Sequence, residues 1–210
     1  MRLLRSAVLA AVLATQVGAA GAGAQSDDLL YIPLLDAIET ETADALDDTL
    51  PRYDIDATFA AATATDLATL TGTVALDYVN ATGGDLAELN VRLYPNNLQY
   101  GAGGMTLDGL TIDGEVAEGT LAVDDTLLTV PLDAPLADGA ALDLVVAFET
   151  TVPTDPAQGY GMFKYDPTLD VYSLAHWFPM LAGIDADGAW VTDPLSENGD
   201  PVFSLSLIHI

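Results

Sequence analysis

The stretch LTGTVALDYVN, Leu70 to Asn80, sets Leu70, Gly72, Val74, Leu76 and Tyr78 against Thr71, Thr73, Ala75 and Asp77. A period of two is the repeat of an extended strand, whose successive side chains point to opposite faces. It returns in LAELNVRLYPN, with Leu89, Val91 and Leu93 on one face and Glu88, Asn90 and Arg92 on the other. ALDLVVAFET repeats it with Leu142, Leu144, Val146 and Phe148. Shorter runs, LTIDGEV, TLAVDD and LLTVPL, are bounded by Asp-Gly, Asp-Asp or Pro-containing turns. Short strands with turns at this spacing predict an all-β fold over residues 52–204, an antiparallel β-sandwich with one face of each sheet packed and one wet. Leu76, Tyr78, Val91, Leu93, Val130, Leu144 and Val146 are the predicted core. No Gly-rich phosphate loop follows a strand and no long amphipathic helix separates strands, which excludes an α/β nucleotide-binding fold.

The flanks read differently. MRLLR is a basic head, SAVLAAVLATQVGAAGA an apolar run of small residues, and Ala22-Gly23-Ala24 a small-x-small cleavage pattern. Residues 1–24 are therefore read as a secretory signal peptide, and the protein as exported, extracellular or periplasmic. The apolar run is too short and too rich in Ala and Gly for a membrane anchor. Residues 25–51 form a lead-in, either a short helix over 34–47 carrying Leu34, Leu35, Ile38 and Leu46, or a disordered leader. The last residues, Ser204 to Ile210, SLSLIHI, hold no acid. Residues 205–210 back-translate to the end of a transposon adapter and are read as a non-native read-through tail, which leaves His209 without meaning.

The formal net charge is −27, with 32 acids. Losing Arg2 and Arg5 with the leader lowers it by two, to −29, and leaves Arg52, Arg92 and Lys164 as the basic residues. Nothing remains to neutralise phosphates, so nucleic acid is excluded as a partner, and an anionic lipid surface with it. The acidity fits a surface screened by a saline medium or calcium bound by clustered carboxylates. The chain has no Cys, which removes both disulfides and thiolate-held zinc.

Few residues are candidates for chemistry. His176 and His209 are the only histidines. Ser173 and His176 are too close in sequence for a nucleophile elbow. GIDADGAW offers Asp185 and Asp187 as a weak calcium candidate. Ala189 stands where a third ligand belongs and no Glu closes the loop, so a tight hairpin on Asp187-Gly188 is the preferred reading. Asn80-Ala81-Thr82 fits a glycosylation acceptor, to which we give little weight in a turn. Tyr160 to Trp190 holds much of the aromatic content, including both Trp. Trp190 and Tyr172 are expected in the core. His176, Trp177, Phe178 and Met180 are expected to face a cleft or a further domain.

An ordered set of segments, YDIDATF, LTGTVALDYVNAT, LAELNVRLYPN, LTVPLDAPLADGAALDLVVAFE, HWFPMLAGIDADGAW and ENGDPVFS, resembles the N-terminal β-saddle domain of the aminopeptidase N-like (gluzincin) zinc metallopeptidases. The match runs from Arg52 to Ser204. It implies a chain truncated before its catalytic domain, in which the saddle walls one side of the substrate cleft. The implied partners are that missing domain and, in the parent, a peptide substrate. The family's H-E-x-x-H and G-x-M-E-N motifs do not occur here, and GGMTL at Gly103 to Leu107 lacks the acid of the latter. Phe178-Pro179 matches the family's F-P pair without the Arg, Cys and Asp-Glu-Pro around it. The resemblance thus implies zinc for the parent, but no cofactor and no catalytic or metal-binding residue in this fragment. The alternative from another class is a free-standing secreted acidic β-sandwich that binds a protein or carbohydrate, with or without calcium.

Overall fold

A computed structural model describes residues 49–154 and 163–195. The leader, the expected helix over 34–47 and the tail 205–210 lie outside them, and the described residues belong to the compact unit that begins at Asp47. The chain runs through β1 (Arg52–Ala60), β2 (Ala68–Val79), β3 (Leu86–Arg92), β4 (Gly104–Ile112), β5 (Glu115–Val116), β6 (Thr120–Ala122), β7 (Leu127–Leu136), β8 (Ala141–Val152), β9 (Phe163–Asp166), β10 (Val171–Leu174) and β11 (Met180–Leu181). Two short 3-10 turns, Tyr94–Asn96 and Leu98–Tyr100, follow β3. The strands form a five-stranded sheet in the order β1-β2-β8-β4-β5 and a four-stranded sheet in the order β11-β3-β7-β6. A separate hairpin pairs β9 with β10. Every pairing is antiparallel.

The alternation read from sequence fixes which faces meet. Val74, Leu76 and Tyr78 of β2 and Leu142, Leu144, Val146 and Phe148 of β8 pack with Leu89 and Val91 of β3 and Leu128 and Val130 of β7 in one cluster. All seven predicted core residues are buried. Each such side chain contributes about 1.5–3 kcal/mol by leaving water. A second cluster, Ala68, Leu70, Tyr100, Val152 and Phe163, carries the β9–β10 hairpin.

Turn chemistry sets the connections. Asp113 and Gly114, at φ 51° and 82°, form the β4–β5 turn, as a two-residue hairpin loop requires. Val123, Asp124 and Asp125 all take positive φ between β6 and β7. Asn96 holds that turn by donating from Nδ2 to the Asp125 carbonyl at 2.8 Å. Gly72 is needed for a different reason. A Cβ there would overlap the Asp56 carbonyl oxygen and lie 2.7 Å from Ala57 Cα, so β1 crosses β2 closely only because Gly72 has no side chain.

The structure corrects one strand. The polar row of β3 is not wet: Asn90 and Arg92 are 0 % and 1 % exposed. The segment after β11 covers that face, with Ala182 donating its N–H to the Asn90 carbonyl at 2.7 Å and the Trp190 indole N–H donating to the Glu88 carbonyl at 3.1 Å. Asn90 finds side-chain partners on both sides, as its burial demands. Thr129 Oγ1 donates to Asn90 Oδ1 at 2.7 Å, and Asn90 Nδ2 donates to Glu88 Oε1 at 3.0 Å.

Candidate functional site

Some of the residues singled out by sequence lie on the flank where β1 meets β11. Just past β11, Ala182 spends its N–H on β3, so Leu181 turns its own outward. The Tyr53 hydroxyl of β1 accepts it at 3.0 Å, linking the two sheets. The Phe178 ring meets Tyr53 edge-on at 5.9 Å. Burial pushes the Tyr53 phenol above its ordinary pKa, and the hydrogen bond from Leu181 partly offsets this. Beside this link lies a cavity of about 720 Å³ lined by Tyr53, Tyr78, Tyr94, Met180, Ile184 and neighbours, with Asp185 as its one carboxylate among the described residues. In so acidic a chain, this concavity is mainly apolar.

Of the predicted residues, Met180 and Asp185 line the cavity. His176 is buried at φ 55°, with its ring 4.8 Å from that of Tyr94. Trp177 is half-buried and packs on both core clusters. Its ring lies 5.9 Å from Phe148 and 5.4 Å from Phe178, and its carbonyl accepts from Thr150 Oγ1 at 2.8 Å. Trp177 thus binds the hairpin cluster to the main core. Trp190 and Tyr172, expected in the core, are half-buried at its margin. Trp190 lies over Tyr78 at 6.3 Å; Tyr172 stacks on Tyr165 at 4.2 Å and accepts the Ala62 N–H at 2.9 Å.

GIDADGAW is a hairpin. Ile184 bridges Trp190, Gly188 sits at φ 81°, and Asp185 Oδ1 accepts the N–H groups of Asp187 and Ala189, each at 2.9 Å. The Asp185 carboxylate therefore closes its own turn, while the Asp187 side chain is exposed. Asn80 is 0 % exposed. Its Nδ2 donates to the Gly84 and Leu136 carbonyls at 2.7 and 2.8 Å, and its Oδ1 accepts from the N–H and Oγ1 of Thr82. The sequon is a structural lock between β2, its turn and β7. Among the described residues no three His, Asp or Glu converge on a point that could hold a metal. With buried His176 as the one described imidazole and no Cys, these residues do not fit the zinc that the resemblance assigns to a parent.

The sequence reading missed the part played by Arg92. Its Nη2 donates to the carbonyls of Val191 and Asp193 at 2.7 and 2.8 Å, while Nη1 has no hydrogen-bond partner among the described residues. Burial lowers the pKa of the guanidinium, and Asp193 is among the groups that oppose this. Arg92 thereby holds the stretch Val191 to Asp193 against β3. The available sign was its place inside RLYPN, in a chain with five basic residues against 32 acids.

No protein-family profile matches this chain, and no characterised protein matches it in sequence. Among solved structures it is similar to a two-domain M1 zinc metallopeptidase variant bound to L-arginine, at 19 % identity and a TM-score of 0.32, over 42 % of this chain and 18 % of that one. It is also similar to an M1 zinc metallopeptidase variant from Deinococcus radiodurans bound to a Tyr-Ser-Ala substrate, at 18 % identity and a TM-score of 0.33, over 43 % and 18 %. The chain thus spans about a fifth of the length of these proteins.

Proposed function

We propose that this chain is the N-terminal, non-catalytic domain of an exported zinc aminopeptidase-like metallopeptidase, forming one wall of the substrate cleft and packing on a catalytic domain downstream. The observation that carries this reading is the order of the family-like segments along the fold. YDIDATF lies in β1, LTGTVALDYVN in β2 and its end, and LAELNVRLYPN in β3 and the first 3-10 turn. LTVPLDAPL lies in β7, ALDLVVAFE in β8, and Phe178-Pro179 leads directly into the edge strand β11. The acid-poor cavity along β11 supports an apolar contact there. Zinc and the hydrolytic residues belong, on this reading, to the downstream domain.

The purified chain should release no amino acid from aminoacyl reporter substrates, with or without zinc. A chain extended through its downstream reading frame should do so in a zinc-dependent manner. Amide exchange at Leu181–Ile184 should slow in the longer protein. Hydrolysis by the short chain, or unchanged exchange in an active longer one, would overturn the assignment.

A further inference from the structure

A second concavity, of about 760 Å³, opens between the β4–β5 hairpin and the outer half of β7. Its floor is apolar: Ile112, Leu132 and Leu136 pack on the main core from partly exposed positions, and Val116 on the rim is 87 % exposed. Its rim carries Asp113, Glu115, Glu118 and Asp133, and no Lys or Arg among the described residues lines it. The acid continues behind the rim. Asp113 Oδ1 accepts the Asp143 N–H at 2.9 Å, and Asp143 stands directly opposite Asp77 in the β2–β8 register. Arg52, the register partner of Asp77, is the basic residue of that row. Burial, followed by repulsion from Asp77 and Asp113, raises the pKa of the Asp143 carboxyl.

Two occupants fit poorly. A further β-strand would need the edge of β7 beyond Thr129, where β6 stops pairing. Pro131 and Pro135 remove two N–H groups from that stretch, a common guard against edge pairing. A second copy of this chain would bring two acidic rims together, which like-charge repulsion disfavours. A groove with an apolar floor and an uncompensated anionic rim is complementary to an apolar stripe flanked by ammonium or guanidinium groups.

We propose that this groove docks a cationic amphipathic segment of a partner protein, its apolar side chains lying on Ile112, Leu132 and Leu136 and its basic groups on Asp113, Glu115, Glu118 and Asp133. The inference does not depend on the peptidase reading, because it concerns a different flank.

The test uses the whole chain at 0.15 M salt with two synthetic probes of equal charge, an amphipathic Lys/Leu peptide and an oligolysine. The amphipathic peptide should bind at least tenfold more tightly. Val116→Ser and Leu132→Ser should weaken it about fivefold or more and leave oligolysine unchanged, while Leu169→Ser, exposed outside both concavities, should change neither. Thermal unfolding checks that each variant remains folded. Equal affinity for the two probes, or loss of binding through Leu169→Ser with Val116→Ser and Leu132→Ser silent, would overturn the proposal.

Discussion

The two flanks of the sandwich solve the same problem differently. Where β1 meets β11, the Leu181 N–H ends on the Tyr53 hydroxyl, aromatic rings meet edge-on, and one acid lines the cavity. Where β4 and β5 meet β7, prolines guard the edge, Val116 stands in solvent and acids crowd the rim. The first flank is held by paired polar atoms and rings; the second is held apart from other strands by charge and missing donors. Substitutions should therefore be costly on the first and nearly silent on the second, unless a partner is present.

The largest effect is expected at Arg92. Arg92→Ala strands the Val191 and Asp193 carbonyls and leaves a void, which should cost on the order of 3 kcal/mol in urea unfolding. It should also loosen residues 190–193 in amide exchange. Gly72→Ala comes next, at about 1–3 kcal/mol, because the new Cβ forces β1 off β2. Tyr53→Phe removes one hydroxyl and should cost about 1–2 kcal/mol through the unpaired Leu181 N–H. Val116→Ser on the open flank should stay within about 0.5 kcal/mol. A cost at Val116 matching that at Tyr53 would erase the distinction between the flanks.

The smallest expected effects are those of pH, and they have opposite signs at two acids. The Asp143 carboxyl has a raised pKa in the folded chain, so its contribution is fully present below the unfolded aspartate value and is lost as pH rises through the folded one. Asp66 is lowered by hydrogen bonds from Thr63 and then Thr65, so its contribution is present above the unfolded value and is lost as pH falls through the folded one. Asp77→Asn should remove part of the first dependence and raise stability at neutral pH. Stability curves of the two proteins that remain parallel between pH 3 and 7 would contradict the carboxyl crowding at Asp143.

The sheet core was legible because alternation alone places Leu76, Val91 and Leu144 inward, whichever strands they pair with. The hairpin in GIDADGAW was legible because Asp-Gly chemistry is local. The buried face of β3 was not: Asn90 and Arg92 occupy polar positions of a normal amphipathic strand. They are covered by chain about a hundred residues downstream, from Ala182 to Asp193. The place of Trp177 was not legible either, since its contact with both clusters depends on how the β9–β10 hairpin folds back. Tyr53 and Tyr94, which line the candidate cavity, lay within quoted segments. Nothing about a single Tyr in an alternating run says whether it faces a core, a cavity or a neighbouring sheet.

We propose that this sandwich serves a zinc peptidase whose chemistry lies beyond it. The most direct measurement is the sequence of the source DNA continuing from the Ser204 codon. The account predicts an open frame encoding H-E-x-x-H, with a further Glu downstream, within the next few hundred residues. A stop codon there, or a long frame without that motif, would contradict it.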